Sequence, residues 1–221
     1  MRKLQYIGDS WKGLQRDSNK DGFHALVTPN YALFLVFDGV SSSKNAKEGV
    51  DALIKFSETS HPLYYYNYRF HLKDMMEDMN LFLLKMNSQG LYTTCCLAYV
   101  PLDETLPLKI AHLGDSRIYG INGTFRVYTE DHSNPGQKNM LLKCLGLKSL
   151  VKDDFYDREI TQSPKRLFLC TDGFYQVMEQ HPDLFLQLLK GPDLGGVKIA
   201  LQKLIENQNG DDATYLLVSM N

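Results

Sequence analysis

The chain predicts an α+β fold in which strands and helices segregate into layers. Apolar runs of strand length end at acid-glycine corners, two stretches of helical apolar spacing follow the third run, and strand-like patterning returns from Tyr92. No repeat, low-complexity tract or linker-like stretch interrupts the 221 residues, so one domain spanning 1–221 is expected.

KLQYIGDS, FHALVT (Phe23 to Thr28) and YALFLVF (Tyr31 to Phe37) open the chain as strands parted by polar turns such as TPNY. The third is apolar throughout, as a strand buried on both faces is, and it delivers Asp38-Gly39 to its end. An acid so placed is costly unless a basic partner or a metal ion compensates it, and no Lys or Arg follows before Lys44. KNAKEGVDALIKFSE puts Ala46, Val50, Leu53 and Ile54 on one face, and HLKDMMEDMNLFLLKMNSQ does so for Leu72, Met75, Met76, Met79, Phe82, Leu83 and Met86. Two helices covering a sheet are predicted. Between them HPLYYYNYRF reads as aromatic packing in a helix connection.

From Tyr92, the runs YTTCCLAYV, PLKIAHLG, SRIYGI and TFRVYT predict an antiparallel meander with an Asn122-Gly123 hairpin turn. RLFLCTDG, Arg166 to Gly173, repeats the strand that ends in Asp-Gly. Two helices, DLFLQLLKG and VKIALQKLIENQ, are expected on either side of Gly195-Gly196, and Asp211 and Asp212 precede a last strand.

Charge is near balance, 24 basic against 26 acidic residues, which argues against an electrostatic nucleic-acid binder. Cys95, Cys96, Cys144 and Cys170 lack metal-finger or CxxC spacing and read as reduced core residues, with Cys95 and Cys96 on opposite faces of a strand. With no signal-like leader and no run of ~20 apolar residues, the expectation is a soluble, cytoplasmic protein without a membrane segment.

Asp38, Asp115 and Asp172 all stand at strand ends. Hard divalent cations such as Mg²⁺ and Mn²⁺ take carboxylate, carbonyl and water oxygens, and a pair of them can clamp phosphate and activate water. A single Asp-Gly is more often a turn, so the order of motifs has to discriminate. His24, His112 and His132 have no metal-ligand spacing and read as structural, as does Arg117. A glycosidase-type carboxylate pair is poorly supported, because the acids recur at strand-ending glycines.

In order along the chain, RDSNKDGF (Arg16 to Phe23), VFDGV, LYTTCCLAYV, LGDSRIY, LFLCTDGFYQVM and NGDDATYLLV resemble the successive motifs of the metal-dependent PPM, or type 2C, serine/threonine protein phosphatases, in a compact bacterial-like form. The resemblance implies a four-layer αββα sandwich of two mainly antiparallel sheets flanked by helix pairs. It implies that Arg16 binds phosphate, and that Asp21, Asp38, the carbonyl of Gly39, Asp172 and Asp211 hold two Mn²⁺ or Mg²⁺ ions. Asp115 is the candidate ligand of a third. The implied reaction is hydrolysis of phosphoserine or phosphothreonine in a protein by direct attack of a metal-bound water, in a pathway with a cognate Ser/Thr kinase. The alternative is a pseudophosphatase that binds phosphopeptides or partners.

Five positions and one segment depart from the family pattern. Lys20 replaces Glu or Gln, and its long stem is expected to carry the charge to solvent. Val40-Ser41 replaces the His-Gly of eukaryotic members. Gln176 replaces an acid, which counts against the third ion, and Asp212 replaces Asn. The segment at about 131–147 is shorter than the usual flap, so a more open substrate mouth is expected.

Overall fold

The computed structural model describes residues 1–86, 88–134 and 136–220, without the side chains of residues 137–139. In chain order it contains β1 (Leu4–Trp11), β2 (Gly22–Val27), β3 (Tyr31–Phe37), α1 (Ala46–Ser60), β4 (Tyr65–Tyr66), β5 (Arg69–Phe70), α2 (Leu72–Lys85), β6 (Cys95–Pro101), β7 (Leu108–Leu113), β8 (Arg117–Ile121), β9 (Phe125–Val127), β10 (Ser133–Asn134), β11 (Gln137–Leu141), β12 (Asp157–Ile160), β13 (Arg166–Cys170), α3 (Asp172–Met178), α4 (Pro182–Leu189), α5 (Leu194–Ile205) and β14 (Ala213–Met220). Two five-stranded sheets run in the orders β12-β7-β6-β3-β2 and β1-β14-β13-β8-β9. Every pairing within them is antiparallel.

Three apolar clusters fill the spaces between four layers, and the alternation of side chains along each central strand sorts residues among them. On β3, Tyr31, Leu33, Leu35 and Phe37 turn to α1 and α2, meeting Val50, Leu53, Met75, Met76 and Met79. The intervening Ala32, Phe34 and Val36 turn to the other sheet, against Leu167, Leu169, Leu216 and Val218. Phe168, Cys170, Tyr215 and Leu217 face α3, α4 and α5 through Phe174, Phe185, Val197 and Leu201. This two-sided burial is why β3 reads as one continuous apolar run. Each fully buried Leu or Phe contributes roughly 1.5–3 kcal/mol relative to exposure. Cys95 and Cys96 fall in different clusters, on the two faces of β6.

The four-layer sandwich stands, with amendments. Helices pair on one outer face only, since three, α3 to α5, cover the other. Phe82 keeps 36% of its surface exposed, although its ring packs on Phe56 at 5.2 Å. The meander expected from Tyr92 is divided: β6 and β7 pair in one sheet, β8 and β9 in the other. The chain changes sheets at Gly114, whose φ of +108° is disfavoured with a side chain and whose Cβ position would lie 2.6 Å from the Thr94 side chain. That crossing carries Asp115 to the seam between the sheets. Gly195 and Gly196 lie inside the first turn of α5, where the Asp193 carboxylate accepts both of their N–H groups as an N-cap.

The shortened segment folds into the small hairpin β10–β11 and does not run as a bare link. Pro135 and the side chains of residues 137–139 within it lie outside the described residues, as does Asn87 of the stretch read as the second helix. Among the described residues no helix is long and apolar enough to cross a membrane.

Candidate active site

Hairpin register brings the acids together. Gly22 faces Phe37 across β2 and β3, which leaves Asp21 and Asp38 side by side beyond one end of the first sheet. In the second sheet Cys170 faces Tyr215, so Asp172 and Asp211 leave β13 and β14 at the corresponding end. Asp38, Asp115, Asp172 and Asp211 line a cavity of about 770 Å³ together with Arg16 and Gln176, and Val40, Ser41, Ser42, Met140, Leu141 and Cys144 are among the other residues of its walls. Asp21 is 2% exposed and stands behind the cavity rather than on it. None of His24, His112 and His132 lines it.

The polypeptide around Asp38 is tightly held while its carboxyl group is not. Its N–H donates to Thr94 Oγ1 at 3.2 Å, and its carbonyl accepts from Thr93 Oγ1 and from the Thr94 N–H at 2.8 Å each. The carboxyl keeps part of its surface open to the cavity yet lies deep among protein atoms; burial, then the charges of Asp21 and Asp172, push it well above the carboxylate range. The same causes act on its neighbours. Burial raises Asp21 to about 8, against the opposing bond from Thr171. Asp172 is raised to about 6 by burial and Asp211, and Asp115 to about 7 by burial and Asp172. Thr171 Oγ1 donates to Asp21 Oδ2 at 2.8 Å across the two sheets, whereas Asp21 Oδ1 is buried without a partner.

Arg16 forms a two-pronged ion pair with Asp211 through Nε and Nη2. Asp172 stands beside Asp38 and accepts a hydrogen bond from Gln176 Nε2 at 3.1 Å. With these partners taken and like charges opposed, no three acids, histidines or cysteines among the described residues stand close enough to enclose a metal ion as they are. The donor set nevertheless fits a hard divalent cation: every candidate ligand atom is an oxygen, one is orphaned, and the carboxyls outnumber the two guanidinium groups near them, Arg16 beside Asp172 and Asp211 and Arg117 near Asp115.

The departures from the family pattern acquire partners here. Gln176 donates to Asp172, which a carboxylate in its place could do only when protonated. Asp212 is buried, and its two oxygens accept the N–H groups of Gly13 and Lys20 at 2.8 Å each, holding both ends of the loop that carries Arg16. An asparagine has a single acceptor oxygen and would present an amide N–H to one of those donors. Asp212→Asn should therefore lower the free energy of unfolding by about 1–3 kcal/mol in urea with an unchanged m-value. A stability equal to wild type would contradict that reading. Lys20 does not run free into solvent, because its ammonium donates to the carbonyls of Ser41 and Ser43 at 2.8 and 3.0 Å. Arg117 grips Asp131 at 2.8 Å, reaches Glu179 and lies 3.8 Å over the Tyr175 ring, a structural placement as expected.

Thr171, Thr93 and Thr94 lie inside two of the quoted motifs without a role of their own there; Thr171 directly precedes Asp172, but Thr93 and Thr94 have no acid beside them in sequence, and only the structure shows that they hold Asp21 and the Asp38 backbone.

A family model for protein phosphatase 2C matches residues 14–192. The serine/threonine phosphatase stp of Listeria welshimeri is 31% identical over 114 residues, 43% of this chain and 44% of that protein. Its counterpart in Listeria innocua is 29% identical over 157 residues, 62% of this chain and 60% of that one. The chain thus spans about half of the length of these curated relatives. Among solved structures, the PPM Ser-Thr phosphatase MsPP from Mycobacterium smegmatis superposes with a TM-score of 0.79 at 17% identity, covering 98% of each chain. Serine/threonine phosphatase Stp1 from Staphylococcus aureus does so at 0.73 and 22%, covering 100% of this chain and 96% of that one. At those identities the superpositions speak for the fold, and the motif order, the paired acidic corners and the match over residues 14–192 together establish that the chain belongs to the protein phosphatase 2C family.

Proposed function

We propose that the protein is a phosphoprotein phosphatase that hydrolyses phosphoserine and phosphothreonine and needs Mn²⁺ or Mg²⁺. The observation that carries this reading is the cavity in which one arginine faces four carboxyl groups brought from both sheets, with a fifth buried behind them. So much like charge at one spot is unfavourable by itself and suits a site built for cations. Asp21, Asp38, Asp172, Asp211 and the Gly39 carbonyl are the residues assigned to two ions, with Asp115 left for a third that Gln176 disfavours. When bound, such ions supply charge to neutralise phosphate oxygens and make water a stronger nucleophile. Arg16 orients the phosphate: Nη1 has no bond among the described residues, so it is available to a phosphate oxygen while Nε and Nη2 keep Asp211. Water then displaces the seryl or threonyl oxygen in one step, without a phosphorylated enzyme. In this reading the protein acts as a single domain in the cytoplasm, on a phosphorylated protein that a Ser/Thr kinase supplies.

Purified protein should release phosphate from a phosphopeptide panel with added Mn²⁺ and not in excess chelator. Full turnover in chelator would refute metal dependence, and phosphopeptide binding without turnover would favour the pseudophosphatase.

A second expectation concerns stability. Asp21, Asp115 and Asp172 titrate at about 8, 7 and 6 in the fold, above their unfolded range, so their contribution is whole below that range and is lost as pH rises through 6 to 8. In chelator the Tm should fall across that window, and Mn²⁺ should flatten the fall. A Tm in chelator that is constant from pH 5.5 to 8.5 would contradict it.

A further inference from the structure

Lys20 joins three pieces of chain that meet beside the cavity. Its N–H donates to Asp212, its own carbonyl and Cβ come within 2.7 and 2.9 Å of where a side chain on Gly39 would begin, and its ammonium spans to Ser41 and Ser43. Gly39 is thus required for close approach, and the lysine stem lies against the Asp38-Gly39 corner. The two carbonyls it binds belong to the turn closed by Ser43 N–H donating to Val40, and Val40, Ser41 and Ser42 form one wall of the cavity. Met140 and Leu141 of the small hairpin line the same cavity. Both hydrogen bonds of the Lys20 ammonium go to carbonyls of the turn closed by Ser43, so it is directed at the wall.

We infer that Lys20 is a positioning residue: a strap that fixes the Val40–Ser42 wall so that a peptide flanking the phosphorylated residue meets a preformed mouth. This rests on the phosphatase reading above. An ammonium suits the task, since its three donors can serve two carbonyls of one turn at once. A strap of this kind governs how an extended substrate is accepted and leaves the reacting groups in place, so it separates a peptide from a small phosphoester.

The test compares wild type, Lys20→Met and Lys20→Arg by hydrogen exchange without metal, and by steady-state kinetics with Mn²⁺ on a phosphopeptide and on para-nitrophenyl phosphate. Lys20→Met keeps the stem and deletes the donors. Exchange at Val40 and Ser43 should rise on the order of tenfold in that variant, with other segments unchanged. KM for the phosphopeptide should rise on the order of tenfold, while kcat and both constants for para-nitrophenyl phosphate stay within about twofold. Lys20→Arg should move both readouts back toward wild type. Unaltered exchange in Lys20→Met overturns the strap, and so does an equal loss on both substrates that Lys20→Arg does not recover. If wild type hydrolyses neither substrate, the phosphatase reading falls, and exchange at Val40 and Ser43 still decides the strap.

Discussion

Asp38→Asn should lower kcat/KM toward a phosphopeptide by at least about a thousandfold and leave the metal-free protein more stable than wild type. The two effects have one cause. Asp38 is pressed by four other acids, and a neutral amide of the same shape relieves that repulsion while removing one of the carboxylates proposed to hold the ions. Its backbone is held by Thr93 and Thr94 and not by the side chain, so the substitution leaves the corner in place. A gain of ~1 kcal/mol would appear as a rise in Tm of roughly 2–4 °C in chelator at neutral pH for a chain of this size. Phosphatase assays with Mn²⁺ and melts with chelator read the two effects separately. Activity within tenfold of wild type would remove Asp38 from the site, and a lower Tm would show that its charge is compensated by something else.

Arg16→Ala is the second large effect. Losing a charge-assisted contact to phosphate, worth ~1.5–3 kcal/mol, lowers kcat/KM about tenfold to hundredfold. The bond to Asp211 adds a consequence that the motif does not suggest. Without the guanidinium, Asp211 is released and the site becomes more negative, so Mn²⁺ should bind at least as tightly by calorimetry. Arg16→Lys should recover only part of the activity, because an ammonium lacks the planar fork that serves a carboxylate and a phosphate together. Weaker Mn²⁺ binding in Arg16→Ala would mean that Arg16 orders the ligands instead of competing for one of them.

What the sequence made legible is what local patterning controls. β3 and β13 are buried on both faces, so they stand out as apolar runs, and the acids that follow them mark the site without any structure. β12 is an edge strand with the sequence Asp157-Arg158-Glu159-Ile160, and its pairing with β7 leaves no such trace. The change of sheet at Gly114 has no signature in the sequence, because β6 to β9 alternate in the same way whether they form one sheet or two. Gly195 and Gly196 look like a break until Asp193 is seen to cap them. Lys20, Gln176 and Asp212 could be recognised only as exceptions to a family pattern. Their reasons are partners in space: Lys20 and Asp212 are 192 positions apart.

The acids at the seam come in pairs from different sheets, and Arg16 reaches Asp211 across 195 positions of chain. Neither half of the sandwich owns the site. Closing contacts between segments this remote in sequence is the slow part of folding, since loop entropy is lost before the contacts repay it. Helices and local hairpins can form early in a refolding chain, but the site becomes whole only when the two sheets dock, so recovery of function reports the last long-range step and not the return of secondary structure.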